Sequence, residues 1–174
     1  MRARTGTWFT TKVRYQKTME DGTEKVVTET YLVDALSFTE AESAIIDEIS
    51  VYVSGEFRVS GIAKANYLEI YFSDMDEDDK WYKAKVSLIT IDEKSGKEKR
   101  NNVNYLVQAK SLQRALRYME EALGGTMNDC EIVGLTDTPL MDVFEHHAAT
   151  RNEEKNDVPE YEQENGQTNA EDHA

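Results

Sequence analysis

Cysteine and histidine are scarce in this sequence, and long apolar runs are absent. The single cysteine, Cys130, cannot form an internal disulfide and has no CxxC or CxxH neighbourhood, so we expect a buried thiol in a reducing cytoplasm. His146, His147 and His173 all lie near the C-terminus, which excludes a histidine acid or base inside the predicted core. No run approaches the ~20 apolar residues needed to cross a bilayer, so we expect neither a membrane span nor a signal peptide.

Signatures of catalysis and metal binding are also missing. The sequence has no GxxxxGK[ST] phosphate loop, no GxGxxG after a strand and no GxSxG elbow, so we expect no enzyme activity and no cofactor. The acidic stretch SDMDEDDK at 73–80 has calcium-like chemistry, but an EF-hand needs glycine at its sixth position and glutamate at its twelfth. Counted from Asp74, those positions hold Asp79 and Lys85. We therefore predict a solvated linker and no metal site.

Acidic residues outnumber basic ones throughout the chain, and the net charge is −14. Residues 146–174 carry eight acids and two bases with almost nothing to bury, which predicts a disordered acidic tail. Because the remaining chain is acidic too, the default electrostatic expectation is repulsion from nucleic acid.

The sequence contains one pattern twice. YLVDALSFTEA at 31–41 returns as YLVQAKSLQRA at 105–115, and WFTTKVRY at 8–15 returns as WYKAKVSL at 81–88. The offsets are 74 and 73 residues, and at the ends LEIYF (68–72) matches LMDVF (140–144) at 72. This colinear similarity predicts two tandem units, 1–72 and 81–145, joined by the linker.

Each unit reads as ββαββ. Alternating strands around a glycine-containing turn open the unit as a hairpin. Ser37 and Glu40 form a capping-box pattern at the start of a helix, and the second helix ends at Gly124 and Gly125. The predicted apolar helix faces are Phe38, Ala41, Ile45, Ile49 and Tyr52, and Leu112, Ala115, Leu116, Met119 and Leu123. Because one unit is too small to bury its own apolar surface, we predict a single pseudo-twofold α+β domain with an antiparallel sheet and two helices.

Several phrases together resemble a family of Bacteroidota and their phages catalogued as domain of unknown function 4494. They include VTETYLVDALSFTEAE, DKWYKAK, LITIDEKSGKEKR and the closing MDVF, and the similarity spans about 6–145. The resemblance implies a cytoplasmic protein of such a bacterium, or of a prophage or mobile element within one. The resemblance implies no particular activity, cofactor or catalytic residue for this chain.

One strand face in each unit carries a tryptophan followed by two cations. Alternation places Trp8 with Lys12 and Arg14, and Trp81 with Lys83 and Lys85. Aromatic rings that stack on bases, with cations that hold phosphates, are typical of single-stranded nucleic-acid platforms. The predicted nucleic-acid-binding residues are Trp8, Lys12, Arg14, Trp81, Lys83, Lys85, Tyr67 and Tyr71. The acidic tail would compete with the ligand, as such tails do in several single-stranded DNA-binding proteins.

Other interpretations remain open. Trp8 and Trp81 would instead pack under the neighbouring unit, with the lysines serving only as solubilising charges. A protein-interaction or assembly adaptor would dock a partner chain on the sheet, on an edge strand or through the tail, with little dependence on salt. A DNA mimic is a third class, since the net charge is strongly negative. The sequence does not determine the oligomeric state or the order of the strands.

Overall fold

The computed structural model describes residues 1–126 and 129–145, which form two sheets with one helix each; the predicted disordered tail, 146–174, lies outside them. The strands are β1 (Arg2–Arg4), β2 (Trp8–Thr18), β3 (Glu24–Asp34), β4 (Phe57–Ala65), β5 (Glu69–Phe72), β6 (Lys80–Ile91), β7 (Glu98–Ala109), β8 (Asp129–Asp137) and β9 (Leu140–Phe144). The helices are α1 (Phe38–Ser50) and α2 (Leu112–Gly124). The fold is α+β.

The two halves of the chain exchange their last strands. The four-stranded sheet has the order β4-β2-β3-β9, and the five-stranded sheet has the order β1-β5-β7-β6-β8. Thus β9 pairs in parallel with β3 of the first half, and β5 pairs in parallel with β7 of the second. The remaining pairings are antiparallel, so both sheets are mixed and the prediction of an antiparallel sheet is wrong. Hairpin turns explain only the β2–β3 and β6–β7 pairs, and a strand that arrives from the other half is free to enter parallel.

Both helices begin with the same serine cap. Ser37 accepts a hydrogen bond from the Glu40 amide at 3.1 Å, and Ser111 accepts one from the Arg114 amide at 3.3 Å. In α1 the Glu40 carboxylate also accepts a hydrogen bond from the amide of Leu36, the residue before the cap, at 2.9 Å, so the predicted Ser37 and Glu40 pair holds the helix start through a neighbouring amide. The residue at the equivalent place in α2 is Arg114, which has no acceptor, so α2 needs a carboxylate from elsewhere.

The helices bury a narrower stripe than their sequences predict. Three residues one turn apart are fully buried in each helix: Ala41, Ile45 and Ile49, and Ala115, Met119 and Leu123. Phe38, Leu112 and Leu116 are exposed, although Phe38 keeps an edge contact with Phe9. Tyr52 lies beyond the end of α1 and is also exposed. A single sheet covers only one side of each helix, so the flanks of the apolar face stay in solvent.

Three apolar clusters form the core. One lies between α1 and the four-stranded sheet, and another lies between α2 and the five-stranded sheet. The third joins the sheet faces turned away from the helices, which we call the helix-free faces. Its buried members are Trp8, Leu32, Ile70, Trp81, Leu106 and Val143. The exchanged strands supply Ile70 and Val143, which pair with Leu106 and Leu32 respectively, so each half helps to bury the other.

The acidic connection at 73–80 is anchored to α2 rather than fully solvated. Asp78 is 1% exposed and accepts four hydrogen bonds. The donors are the Ser73 hydroxyl, the Tyr118 hydroxyl (2.8 Å), the Lys110 amide (2.8 Å) and the Arg114 guanidinium (3.0 Å). Burial raises the pKa of this carboxyl group, but the hydrogen bonds outweigh burial and the pKa lies below its ordinary value. Asp78 thus supplies the acceptor that position 114 lacks, while Asp74, Asp76, Glu77 and Asp79 around it are exposed.

Ion pairs also join the two sheets. Arg2 on β1 makes two hydrogen bonds to the Glu145 carboxylate, at 2.7 and 2.8 Å, and Arg4 lies 3.3 Å from the same group. Glu145 follows β9, the last strand of the four-stranded sheet. Within the described ranges, no helix is long and apolar enough to cross a membrane.

Candidate nucleic-acid interface

The predicted cations lie where strand alternation places them. Lys12 and Arg14 on β2, and Lys83 and Lys85 on β6, are exposed on the helix-free faces of the two sheets. Intervening residues such as Val13 and Ala84 are buried against the helices. The amphipathic pattern of both strands therefore fixes the direction in which these four side chains point.

The two tryptophans are buried and cannot stack on bases. Trp8 is 1% exposed and Trp81 is 2% exposed, because both lie in the cluster between the sheets. The ring of Phe72 packs edge-on against Trp81, with ring centroids 5.4 Å apart. This corrects the prediction of exposed tryptophan platforms. Strand alternation correctly places each tryptophan on the same face as the lysines. The other sheet covers only the start of each strand, so the tryptophans are buried and the later cations stay exposed.

The two predicted tyrosines do not extend a stacking surface either. Tyr71 is buried on the helix side of the five-stranded sheet, where its ring stacks on Tyr105 at 5.9 Å. Its hydroxyl donates to Glu69 at 2.7 Å, and burial followed by that carboxylate raises its pKa. Tyr67 is half-buried against the cluster between the sheets, and burial raises its pKa as well. Tyr71 therefore lies on the side away from the lysines, and Tyr67 is partly covered by the cluster between the sheets.

A β-bulge stands beside one lysine in each sheet. Lys12 is opposite Gly61, and the pairing then shifts so that Ser60 has no partner on β2. Lys85 is opposite Gly134, with the same shift beside it. Bulges increase local strand twist and re-aim neighbouring side chains. A Cβ added to Gly61 would lie 3.8 Å from the Lys12 side chain, so the glycine leaves the lysine stem uncovered.

Sequence reasoning missed Arg58 as a site residue. Arg58 on β4 is directly opposite Arg14 on β2, and both side chains are exposed. Among the residues that the structure describes, Lys12, Arg14 and Arg58 form no ion pair. The alternation of EFRVSGI indicated an outward Arg58, but only the strand pairing brings it beside Arg14.

The five-stranded sheet differs at the corresponding place. There Ser87 is opposite Glu131, and Glu131 is bound by Arg100 at 3.1 Å. Arg100 also contacts Glu98 at 2.8 Å. Here the carboxylate opposite the strand is held by an internal ion pair, whereas Lys12, Arg14 and Arg58 form no ion pair with the described residues.

No other feature of the described residues forms a converging chemical site. In those residues no group of three histidine, cysteine, aspartate or glutamate side chains is placed to hold a metal ion. A shallow groove runs between α2 and β8, and its lining includes Leu116, Leu123, Cys130 and Ile132. It also includes carboxylates such as Glu120, so it does not suit an anionic ligand.

The comparisons with known proteins identify the family and nothing finer. No match is found among curated proteins or among solved structures. A family model described as domain of unknown function (DUF4494) matches residues 7–146, which include both helices and nearly every strand. The chain therefore belongs to the DUF4494 family, as the sequence resemblance indicated.

Proposed function

We propose that this protein is a non-enzymatic binding protein that holds single-stranded nucleic acid by its phosphate backbone. The observation that carries the proposal is the set of cations Lys12, Arg14 and Arg58, which form no ion pair with the described residues and lie on an exposed strand face of a strongly acidic protein. Lys83 and Lys85 extend the positive surface on the other sheet. Because the tryptophans are buried, the contacts are electrostatic rather than stacking, and binding is weak and independent of sequence.

The salt dependence of binding follows from the number of cations. Each neutralised phosphate of a single strand contributes about −0.7 to the slope of log K against log salt. With three to five contacts, the slope is about −2 to −3.5. Such a ligand is lost within a few-fold increase in salt concentration.

The acidic segment 146–174 acts on the same surface as a competitor. It follows β9 directly, and β9 belongs to the sheet that carries Lys12 and Arg14. Strands lie about 4.8 Å apart, so β2 is only about 10 Å from β9 across that sheet. A tethered segment is present at an effective concentration in the millimolar range. Its net charge of −6 therefore weakens the binding of any other polyanion.

The architecture arose by tandem duplication, and the two halves are related by a pseudo-twofold axis. The matching sheet orders, the bulges opposite Gly61 and Gly134, and the buried helix stripes 74 residues apart support this origin. In each half, the last strand pairs with the sheet of the other half. We also propose that the protein is cytoplasmic. Its gene would belong to a bacterium of the Bacteroidota, or to a phage or mobile element within one, in keeping with the family resemblance.

Fluorescence anisotropy of a labelled strand of ~30 nucleotides tests the proposal. The wild-type protein is titrated at low and moderate salt beside a variant with Lys12, Arg14, Lys83 and Lys85 replaced by alanine. We expect salt-sensitive binding that the variant loses. A second full-length variant has the eight tail acids changed to amides, and it is expected to bind more tightly. Equal binding by all three proteins would refute both the cation surface and the role of the tail.

A protein-interaction adaptor is the second candidate, and exposed apolar residues favour it. Leu36, Val51 and Tyr52 at the two ends of α1 are 81%, 79% and 73% exposed. A partner that docks there would bind through apolar contact and would depend little on salt. If anisotropy shows no binding, replacement of these residues by serine in a partner-capture experiment becomes the informative measurement.

A further inference from the structure

We infer that Arg14 and Arg58 form a single phosphate-binding site on the four-stranded sheet, completed by Lys12. This inference rests on the proposed function and makes it more specific, because it assigns one site, a new residue and one chemical class of ligand. That class is a phosphate or phosphodiester group.

The pairing of two arginines is unfavourable without an anion. Directly opposed residues on antiparallel strands have Cβ atoms about 4.5–5.5 Å apart, and like charges at such positions destabilise the sheet. Arg14 and Arg58 are opposed in this way, and no carboxylate of the described residues forms an ion pair with either. A bound anion removes the repulsion.

The five-stranded sheet differs at the position that corresponds to this site. At the corresponding place the opposed residues are Ser87 and Glu131, and Arg100 neutralises Glu131. The same strand pairing thus carries an internal ion pair in one sheet and two unpaired guanidinium groups in the other. One ligand site per chain follows from this difference.

The side chains suit a phosphate group in particular. Two guanidinium groups present parallel N–H donors that match the oxygens of a phosphate, whereas ammonium groups act as point charges. Lys12 is two residues from Arg14 on the same face, and Gly61 leaves space above its stem. Thr28, opposite Arg14 on the other neighbouring strand, is exposed and carries a hydroxyl group on this face.

Two measurements on full-length protein test the site. Thermal unfolding is followed with and without sodium tripolyphosphate, and anisotropy is followed with the labelled ~30-nucleotide strand. The variants are Arg14→Gln and Arg58→Gln, and the matched control is Arg117→Gln, which removes an exposed arginine of α2 that forms no ion pair with the described residues. Without ligand we expect Arg58→Gln to be at least as stable as wild type, since it relieves the repulsion.

With ligand, we expect each site variant to lose the thermal shift given by tripolyphosphate. Each variant is also expected to bind the oligonucleotide about tenfold more weakly and to flatten the slope of log K against log salt by about 0.7, as the loss of one phosphate contact predicts. The control should match wild type in both measurements. If the control and the site variants weaken binding equally, the effect is general charge and the site is refuted.

The two proposals fail in different ways. If tripolyphosphate shifts wild type but not Arg58→Gln, and no protein binds the oligonucleotide, the phosphate site stands and the nucleic-acid function is wrong. If the oligonucleotide binds wild type and Arg58→Gln equally while the quadruple alanine variant fails to bind, the function stands and the arginine site is wrong.

Discussion

Replacement of Asp78 by alanine tests whether the connection between the halves stabilises the fold. The wild-type carboxylate is 1% exposed and accepts four hydrogen bonds, two of them from the Lys110 amide and the Tyr118 hydroxyl. The substitution leaves those two donors and the Ser73 hydroxyl without their partner in a partly buried position. Arg114 retains its contact with Glu77, so its charge stays paired.

The expected loss follows from these three donors, which no longer have an acceptor. A buried donor without a partner costs about 1–3 kcal/mol, so three of them with partial access to water cost about 3 kcal/mol, at the lower end of that range. A folded domain is stable by about 5–15 kcal/mol in all, so this is a large fraction. For a chain of this length, about 3 kcal/mol corresponds to a fall in Tm of about 10 °C.

The assay is urea unfolding at pH 7 and again at low pH. The folded-state pKa of Asp78 is lowered, so its contribution is complete above the unfolded pKa of about 3.9 and disappears as the pH falls through the folded value. The difference in free energy of unfolding between wild type and Asp78→Ala should therefore be constant from pH 7 to about 5 and should decrease only below pH 4.

Asp79→Ala is the matched control, because it removes the same charge from an exposed neighbour with no hydrogen bond or ion pair shown. We expect its free energy of unfolding to stay within about 0.5 kcal/mol of wild type. If Asp78→Ala and Asp79→Ala unfold at the same urea concentration, the anchoring role argued for Asp78 is wrong.

Three further outcomes are expected. Trp81→Ala should cost about 4 kcal/mol in urea unfolding, as for other fully buried aromatic residues, and a loss below 1 kcal/mol would contradict the cluster between the sheets. Glu40→Ala removes the acceptor of the Leu36 amide at the start of α1 and should cost about 1 kcal/mol, whereas Glu42→Ala on the exposed side of α1 should cost nearly nothing in the same assay. Gly96→Ala should lower thermal stability by about 1 kcal/mol because its φ of 67° disfavours a side chain, and Gly61→Ala, which has ordinary contact distances, should be tolerated.

Local features were the predictable part of the fold. The hairpins follow from alternating strands with glycine turns, and the helix starts follow from Ser37 and its capping partner Glu40. These elements depend on contacts between residues close in the chain, which composition and spacing record. The exposed positions of Lys12 and Lys85 belong to the same class, since strand alternation alone determines them.

Features that depend on distant residues were not predictable. The exchange of β5 and β9 pairs strands from different halves, and no turn signal marks a parallel pairing of that kind. The burial of Trp8 depends on that exchange, because residues of the five-stranded sheet, Ile70 among them, cover the start of β2 where Trp8 lies. The pairing of Arg14 with Arg58 likewise needs the register between two strands more than forty residues apart.

The sequence by itself determined the family, the two similar halves, the elements within each half and the acidic charge, because all of these are carried by order and spacing along the chain. Only the tertiary structure decided which half receives each final strand, which aromatic rings lie between the sheets, and which cations stay without a carboxylate. Those properties depend on how the helix-free faces meet, and many apolar arrangements satisfy the same pattern of alternation. The part of the helix-free faces that a ligand can reach is the part that the cluster between the sheets leaves exposed.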